Sequence, residues 1–111
     1  MNDEQRFNDF ILAIKEAHKV WLLQASDGLF AMLEDEQGKT FLPVWSSEQA
    51  CREAAIDDWS GYDAAAMSLT EILVWCDELQ TDEILLGVEP LPDGNILPLT
   101  PEVFKNIFAR I

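Results

Sequence analysis

The most constraining feature is a stretch from Lys39 to Trp59, in which an apolar segment runs directly into a helix start. Residues 41–45 (Phe-Leu-Pro-Val-Trp) carry no polar side chain, which is typical of a strand covered on both faces. Ser46 follows where a helix N-cap belongs, and Gln49 stands three residues further on, as in a capping box. We therefore expect a buried strand joined to a second helix that extends from Ser47 to about Trp59.

The segment before this stretch predicts a helix followed by a hairpin. Residues 2–17 have an apolar face at helical spacing, formed by Phe7, Phe10, Ile11 and Ile14. Two apolar runs, residues 20–25 and 29–34, flank an Asp27-Gly28 turn, which is a strong hairpin signal. With residues 41–45 they predict a three-stranded antiparallel meander. Because Pro43 cannot donate a ladder hydrogen bond, the third strand should lie at an edge, or Pro43 should face away from its neighbour.

The second half predicts two further helices and a return to the sheet. Gly61 is expected to end the second helix in the left-handed region. Ser68 and Glu71 form a capping box for a third helix over residues 69–79, whose apolar stripe is widened by Val74 and Trp75. A fourth strand is expected over residues 83–89 and a short fifth strand over 96–99. Thr100-Pro101 then begins a helix that continues to Ile111.

These elements predict one α+β domain over residues 1–111: a helix, a meander, two helices, a returning strand with a short partner strand, and a C-terminal helix. Ten side chains on the inferred apolar stripes and strand faces are expected to be buried: Phe10, Ile14, Leu22, Leu42, Val44, Ala54, Leu73, Ile84, Leu86 and Phe104.

The charge is large, negative and unevenly distributed. The net charge is −14, and no Lys or Arg occurs between Arg52 and Lys105. That interval holds twelve acids: Glu53, Asp57, Asp58, Asp63, Glu71, Asp77, Glu78, Asp82, Glu83, Glu89, Asp93 and Glu102. Nucleic acid and a membrane surface are disfavoured as partners because phosphates would be repelled. A basic protein partner fits this charge, and so does a surface that is acidic only for solubility.

The sequence also predicts a cytoplasmic location. The N-terminal residues are polar and acidic, unlike a signal peptide, and no apolar run approaches the roughly 20 residues that span a bilayer. Cys51 and Cys76 lie in two different predicted helices and form no CxxC motif. We expect them to be buried and reduced rather than joined in a disulfide. Whether the chain forms a homo-oligomer is left open.

No catalytic motif is found. His18, the single histidine, stands at a predicted helix end, which favours a surface position over a general base. The acid pairs Asp57-Asp58, Asp77-Glu78 and Asp82-Glu83 could contribute metal oxygens, but none has the spacing of a calcium loop. There is no P-loop, GxGxxG or HExxH motif. We therefore predict no catalytic residue, no metal and no cofactor.

Aromatic and acidic residues are the better candidates for a binding site. Trp45, Trp59, Tyr62 and Trp75 are expected to gather between the third strand and the third helix, where Trp59 and Trp75 also fit the edge of a core. The candidate partner-binding residues are Trp59, Tyr62, Trp75, Asp77, Glu78, Asp82 and Glu83.

Several of these residues together resemble a known family. The most specific piece is Leu42-Pro43-Val44-Trp45 leading into a helix. It is accompanied in order by Trp21-Leu22, Asp27-Gly28, Ala50, Trp59, Ser68-Leu69, Trp75, Leu79 and Val88. Over nearly the whole chain the sequence resembles the bacterial family called domain of unknown function 2750. The resemblance implies a small bacterial protein and a shared fold. It supplies no catalytic residue to carry over.

Two functions of different classes follow. The first is an accessory or inhibitory module that binds a basic protein. The alternative is a small carboxylate-dependent hydrolase or ligand-binding protein. An enzyme needs polar groups that converge in a cleft, whereas a binding module needs an exposed aromatic or acidic patch.

Overall fold

The computed structural model describes residues 2–90 and 96–109 and confirms the α+β class. The elements are α1 (Asp3–Ala17), β1 (Lys19–Gln24), β2 (Leu33–Glu34), β3 (Thr40–Val44), α2 (Glu48–Glu53), a 3-10 turn (Asp57–Trp59), β4 (Asp63–Ser68), α3 (Leu69–Thr81), β5 (Ile84–Val88), β6 (Leu97–Leu99) and α4 (Pro101–Phe108). A turn is expected over residues 90–95, between the fourth and fifth strands, and all of it but Pro90 lies outside the described residues, as does the predicted end of the last helix at Ile111.

Three helices begin at residues with capping side chains: Ser68 and Thr100, as the sequence predicts, and Asn2, one of two candidate caps for α1 together with Asp3. In each case the side-chain oxygen accepts a hydrogen bond from the backbone N–H three residues ahead, at 3.1, 3.1 and 2.8 Å respectively. Helix α1 ends at His18, whose φ of 58° is left-handed and whose N–H donates to the carbonyl of Ile14. The His18 side chain is exposed, as expected of a helix-end surface residue.

The strands form a mixed sheet and an antiparallel pair. The mixed sheet has the order β2–β3–β5–β6, with β3 and β5 parallel and the outer pairs antiparallel. Strands β1 and β4 pair from Lys19–Ser68 to Gln24–Asp63. Trp21 and Trp45 exchange two backbone hydrogen bonds of 2.8 and 2.9 Å, which join the pair to the end of β3.

Strand β4 was not predicted, and it changes the pairing of the expected meander. The consecutive segments of the meander still run antiparallel to one another. A bridge between Gln24 and Phe30 joins β1 to the segment that follows it, and a ladder joins β2 to β3. The long ladder of β1, however, is made with β4. Three alanines with weak strand propensity, residues 64–66, concealed β4 in the sequence.

Pro43 lies in an interior strand, so the edge position is wrong, and the other expected arrangement is found instead. The Pro43 nitrogen faces away from β5, because the carbonyl of the next residue, Val44, is directed to the β5 side and accepts from Glu89. Strand β3 runs between β2 and β5. The ladder to β2 covers only Thr40 and Phe41, which leaves that side of the strand without a ladder partner at Pro43. The missing N–H is therefore tolerated because the neighbouring strand is short.

Helix α2 begins and ends differently from the prediction. Its cap is Ser47, whose hydroxyl oxygen accepts from the third residue ahead at 3.1 Å, so the assignment to Ser46 is wrong by one position. The helix ends at Glu53 instead of continuing to Trp59, and Asp57, the first residue of the 3-10 turn, adopts a left-handed φ of 54°. Gly61 is not left-handed, so the predicted helix end at that position is also wrong.

Two apolar clusters occupy the two faces of the β1–β4 pair, because successive side chains of a strand alternate between faces. We define the main core by sixteen buried residues: Phe10, Ile11, Ile14, Val20, Leu22, Leu42, Val44, Leu69, Ile72, Cys76, Leu79, Leu86, Val88, Leu99, Phe104 and Phe108. We define the tryptophan cluster by buried Leu23, Ala31, Trp45 and Cys51, with half-buried Trp21, Ala50, Ala54, Ala55, Trp59, Tyr62 and Ala64 around them.

The predicted core is largely confirmed. Phe10, Ile14, Leu22, Leu42, Val44, Leu86 and Phe104 are all buried. Ala54, Leu73 and Ile84 are only half-buried, so the expectation of full burial is wrong for these three. Leu73 and Ile84 pack against the margin of the main core, and Ala54 packs against the tryptophan cluster.

Candidate functional site

Two of the candidate aromatic residues lie together in the tryptophan cluster. Trp59, on the 3-10 turn, packs edge-on against Trp45, with ring centroids 6.1 Å apart and planes at 90°. Tyr62 follows in the next loop, and its N–H donates to the carbonyl of Trp59 at 3.0 Å. Trp59 and Tyr62 are half-buried, so each combines a packing contact with partial access to solvent.

Trp75 lies on the other side of the β1–β4 pair. It packs against the margin of the main core and contacts Phe30, with ring centroids 5.6 Å apart. The expected gathering of Trp75 with Trp59 and Tyr62 is therefore wrong. The topology separates them because α3 packs on one face of the pair while α2 and the 3-10 turn pack on the other.

The four candidate acids are exposed at the carboxyl end of α3, and we call them the acidic cluster: Asp77, Glu78, Asp82 and Glu83. Asp82 is the residue that caps the helix end, and Glu83 is left-handed with a φ of 60°. Acids are unfavourable at this end, where the helix dipole is negative. The negative charge of Asp77 is partly neutralised by Lys105, whose ammonium group donates a hydrogen bond of 2.7 Å to the Asp77 carboxylate. This hydrogen bond raises the pKa of Lys105.

A shallow groove of about 450 Å³ lies beside the acidic cluster, between α3 and the end of β4. We call it the α3 groove, and it is lined by Met67, Thr70, Glu71, Val74, Trp75 and Glu78. Val74 is 72% exposed in the middle of the helix, so its assignment to the buried stripe is wrong. The groove therefore presents an apolar side chain between two acids. The sequence signal for it was the spacing of Glu71, Val74 and Glu78 on one helix face.

The polar contacts of Glu89 with Ser46 and Arg6 could not be predicted from the sequence. Glu89, at the end of β5, has a left-handed φ of 43°, and its Oε1 accepts from the N–H and the Oγ of Ser46, at 3.0 and 2.5 Å. Its backbone carbonyl accepts from Arg6 at 2.7 Å. A left-handed glutamate is strained and persists only where surrounding contacts hold it. These bonds fasten α1 to the ends of the parallel strands β3 and β5.

The two thiols are buried and unbridged, as predicted. Burial raises the pKa of Cys51 to about 12 and that of Cys76 to about 11, from an ordinary value of 9.0, because the apolar surroundings disfavour the thiolate. For Cys51 the nearby Arg52 opposes this shift but does not cancel it. Neither group has the lowered pKa of a nucleophilic cysteine.

Within residues 2–90 and 96–109, no three His, Cys, Asp or Glu side chains are grouped so as to hold a metal ion. None of the helices in these ranges combines the length and the apolar composition that crossing a membrane requires.

The fold and the groove define a small α+β protein with an acidic helix face. The chain belongs to the family described as protein of unknown function (DUF2750), which matches residues 7–108. This confirms the family resemblance noted in the sequence.

Comparison with solved structures finds a partial likeness to Anabaena Tic22 (protein transport), with a TM-score of 0.48 and 14% sequence identity. The likeness covers 84% of this chain and 49% of that one, so this chain spans about half the length of the Tic22 structure. None of the curated proteins compared with the chain matches it.

Proposed function

We propose that this protein is an interaction module that binds a basic segment of another protein through the face of α3 that carries the α3 groove and the acidic cluster. The observation that carries the proposal is the exposed Val74 between Glu71 and Glu78. A large apolar side chain exposed beside acids suits a partner with an apolar anchor and flanking cations.

The charge distribution supports the same partner chemistry. Within the described residues, Asp77 is the single member of the acidic cluster with an ion pair. Helix α3 contains no Lys or Arg, and its acids accumulate at the end where the helix dipole is negative. A partner's cations would therefore relieve repulsion among the acids as well as the unfavourable interaction with the dipole.

The proposal is tested with a synthetic peptide of the order threonine–lysine–threonine–valine–threonine–lysine–threonine. Binding is measured by titration as ionic strength rises from about 0.01 M to about 1 M, where the Debye length falls from ~30 Å to ~3 Å. We expect affinity to fall steadily with salt. The apolar contact should leave a residual affinity that salt does not remove.

A matched pair of variants separates the local surface from the net charge. One variant changes the acidic cluster to amides: Asp77→Asn, Glu78→Gln, Asp82→Asn and Glu83→Gln. The control changes four exposed acids elsewhere: Asp9→Asn, Asp58→Asn, Glu16→Gln and Glu36→Gln. Both lose the same charge. Association with the peptide should slow more in the first variant, because steering depends on charges near the site. Equal rates in the two variants, or no binding by the parent protein at low salt, would refute the proposal.

A further inference from the structure

Strand β4 has one edge without a strand partner among the described residues. Leu69, directly after β4, shows which residues of the strand bond to β1, since its N–H donates to the carbonyl of His18 at 2.8 Å. Successive residue pairs of an antiparallel ladder alternate between hydrogen-bonded and non-hydrogen-bonded. Ala65 and Met67 therefore direct their N–H and C=O groups toward β1. Ala64 and Ala66 direct theirs outward, along what we call the β4 free edge.

The hydrogen bonds of β1 support this assignment of inward and outward residues. Trp21, which lies opposite Ala66, directs its N–H and C=O away from β4 and exchanges both bonds with Trp45. Leu23, opposite Ala64, likewise directs its carbonyl away and accepts from Ala31 at 2.9 Å. Ala64 and Ala66 thus carry donors and acceptors available to one more strand.

The other sheet margins are protected in ways that β4 is not. Strand β6 has three residues with Pro98 at its centre, and β2 has two residues ending at Glu34. Short edge strands and prolines are the usual protection against added strands. Strand β4 is six residues long, contains no proline or lysine, and bears one charge, at Asp63.

The α3 groove lies beside this edge. Met67 points to the main-core face, and its side chain lines the groove together with Val74 and Trp75. Side chains on that face of an added strand would therefore point to the groove. Glu71 and Glu78 are seven residues apart, about 10 Å along a helix. Alternate side chains i and i+4 of a strand are separated by about 13 Å, which flexible lysines can accommodate.

We infer that the β4 free edge binds an extended segment of a basic partner protein by strand addition, with one apolar side chain in the α3 groove and basic side chains two residues before and after it. This inference rests on the proposed function and specifies its mode. Backbone hydrogen bonds to Ala64 and Ala66 provide pairing, and the groove provides selectivity. A second copy of this chain is a poorer occupant, because two protomers of charge −14 would bring like charges together.

The test uses the same peptide in two N-methylated forms, one at the valine and one at the following threonine. Neighbouring residues of an added strand direct their N–H groups in opposite directions, so one methyl group blocks pairing and the other is tolerated. We expect one form to bind about tenfold or more weakly and the other to bind like the parent peptide. Equal effects of the two methyl groups would overturn the inference.

A protein variant tests the same edge. Ala66→Pro removes an N–H that points outward, so the ladder with β1 is kept. Peptide affinity should fall about tenfold or more. The Ala66→Thr control should bind unchanged, and methyl resonances of Met67 and Val74 should shift on binding. If Ala66→Pro does not fold, the methylated peptides decide.

The outcomes distinguish the two proposals. No peptide binding at low salt refutes the proposed function. If binding depends on salt but its affinity is unchanged by Ala66→Pro and by both methyl groups, strand addition is overturned and the proposed function is kept. A dimer of the protein alone that Ala66→Pro dissociates assigns the edge to a second copy, and it also overturns the inference.

Discussion

The main core and the tryptophan cluster share the two strands β1 and β4 but are packed in different ways. In the main core, large aliphatic and phenylalanine side chains from three helices and both sheets are buried. The tryptophan cluster consists mainly of alanines and aromatic rings, is covered by six-residue α2 and a 3-10 turn, and has mostly half-buried members. The difference indicates that stability resides in the main core, while the opposite face is more easily opened.

The largest effect is expected from Phe104→Ala in the main core. Phe104 is fully buried and packs against Phe108 with ring centroids 4.7 Å apart. Truncation should lower the free energy of unfolding by about 3–5 kcal/mol, measured by denaturant titration. Val103→Ala, next to it and 45% exposed, is the control and should cost less than about 0.5 kcal/mol. A loss below about 1 kcal/mol at Phe104 would show that α4 does not dock as described.

A smaller effect is expected from Trp59→Ala in the tryptophan cluster. The ring keeps one edge-on contact with Trp45 but is half-buried, so about 2 kcal/mol should be lost in the same titration. Ile56→Ala, at a position 53% exposed, is the control and should change stability by less than about 0.5 kcal/mol. A loss as large as that at Phe104 would abolish the contrast between the clusters.

The contact between Ser46 and Glu89 joins the two clusters. Strand β3 contributes Val44 to the main core, and Trp45, which follows the strand and immediately precedes Ser46, belongs to the tryptophan cluster. Ser46→Ala removes the hydroxyl bond to the Glu89 carboxylate and should cost about 1 kcal/mol. Ser26→Ala in the exposed hairpin turn should be neutral. An unchanged melting temperature for Ser46→Ala would show that the hydrogen bond between Ser46 and Glu89 does not stabilise the folded chain.

The two thiols report on the clusters without perturbing them, since Cys76 lies in the main core and Cys51 in the tryptophan cluster. At neutral pH a thiol reagent should label both slowly, through opening of the structure. Cys51 should react first, because it lies in α2, a helix of six residues that opens more easily than the main core. Peptide mass spectrometry resolves the two sites. Earlier labelling of Cys76 would reverse the comparison.

The thiols also predict a loss of stability at alkaline pH. Their pKa values are about 12 and about 11 in the folded chain and near 9.0 when exposed. The unfolded chain therefore releases these protons first as pH rises. The contribution of the buried thiols to stability is complete below about pH 9 and is lost progressively toward their folded pKa values. Replacing both by alanine should flatten this part of the pH profile.

The elements that local chemistry specifies were predictable. Caps at Ser68 and Thr100 and the apolar faces that follow them predicted α3 and α4, and the apolar face of residues 2–17 predicted α1. The continuous apolar composition of β3 predicted a strand covered on both faces. These features depend on residues within a few positions of one another, so no knowledge of the fold was needed.

The site was predictable only in part. The acidic cluster and Trp75 were identified as candidates, but Val74 was assigned to the core, since helical spacing does not show which part of an apolar stripe remains uncovered. Met67 and Ala66 were missed because β4 was missed. Its alanines are extended because β1 offers them a complete ladder, which no local propensity reveals.

By itself the sequence determined the α+β class, the starts of α3 and α4, the family and the acidity of the second half. The tertiary structure alone decided that Trp59 and Trp75 lie on opposite faces of the β1–β4 pair, and that β4, within residues 2–90 and 96–109, has an unpaired edge beside the α3 groove. The physical reason is the distance along the chain over which each interaction acts. Caps and periodicity act within a helical turn, whereas faces and edges are set by strands paired across 39 to 49 positions in the chain.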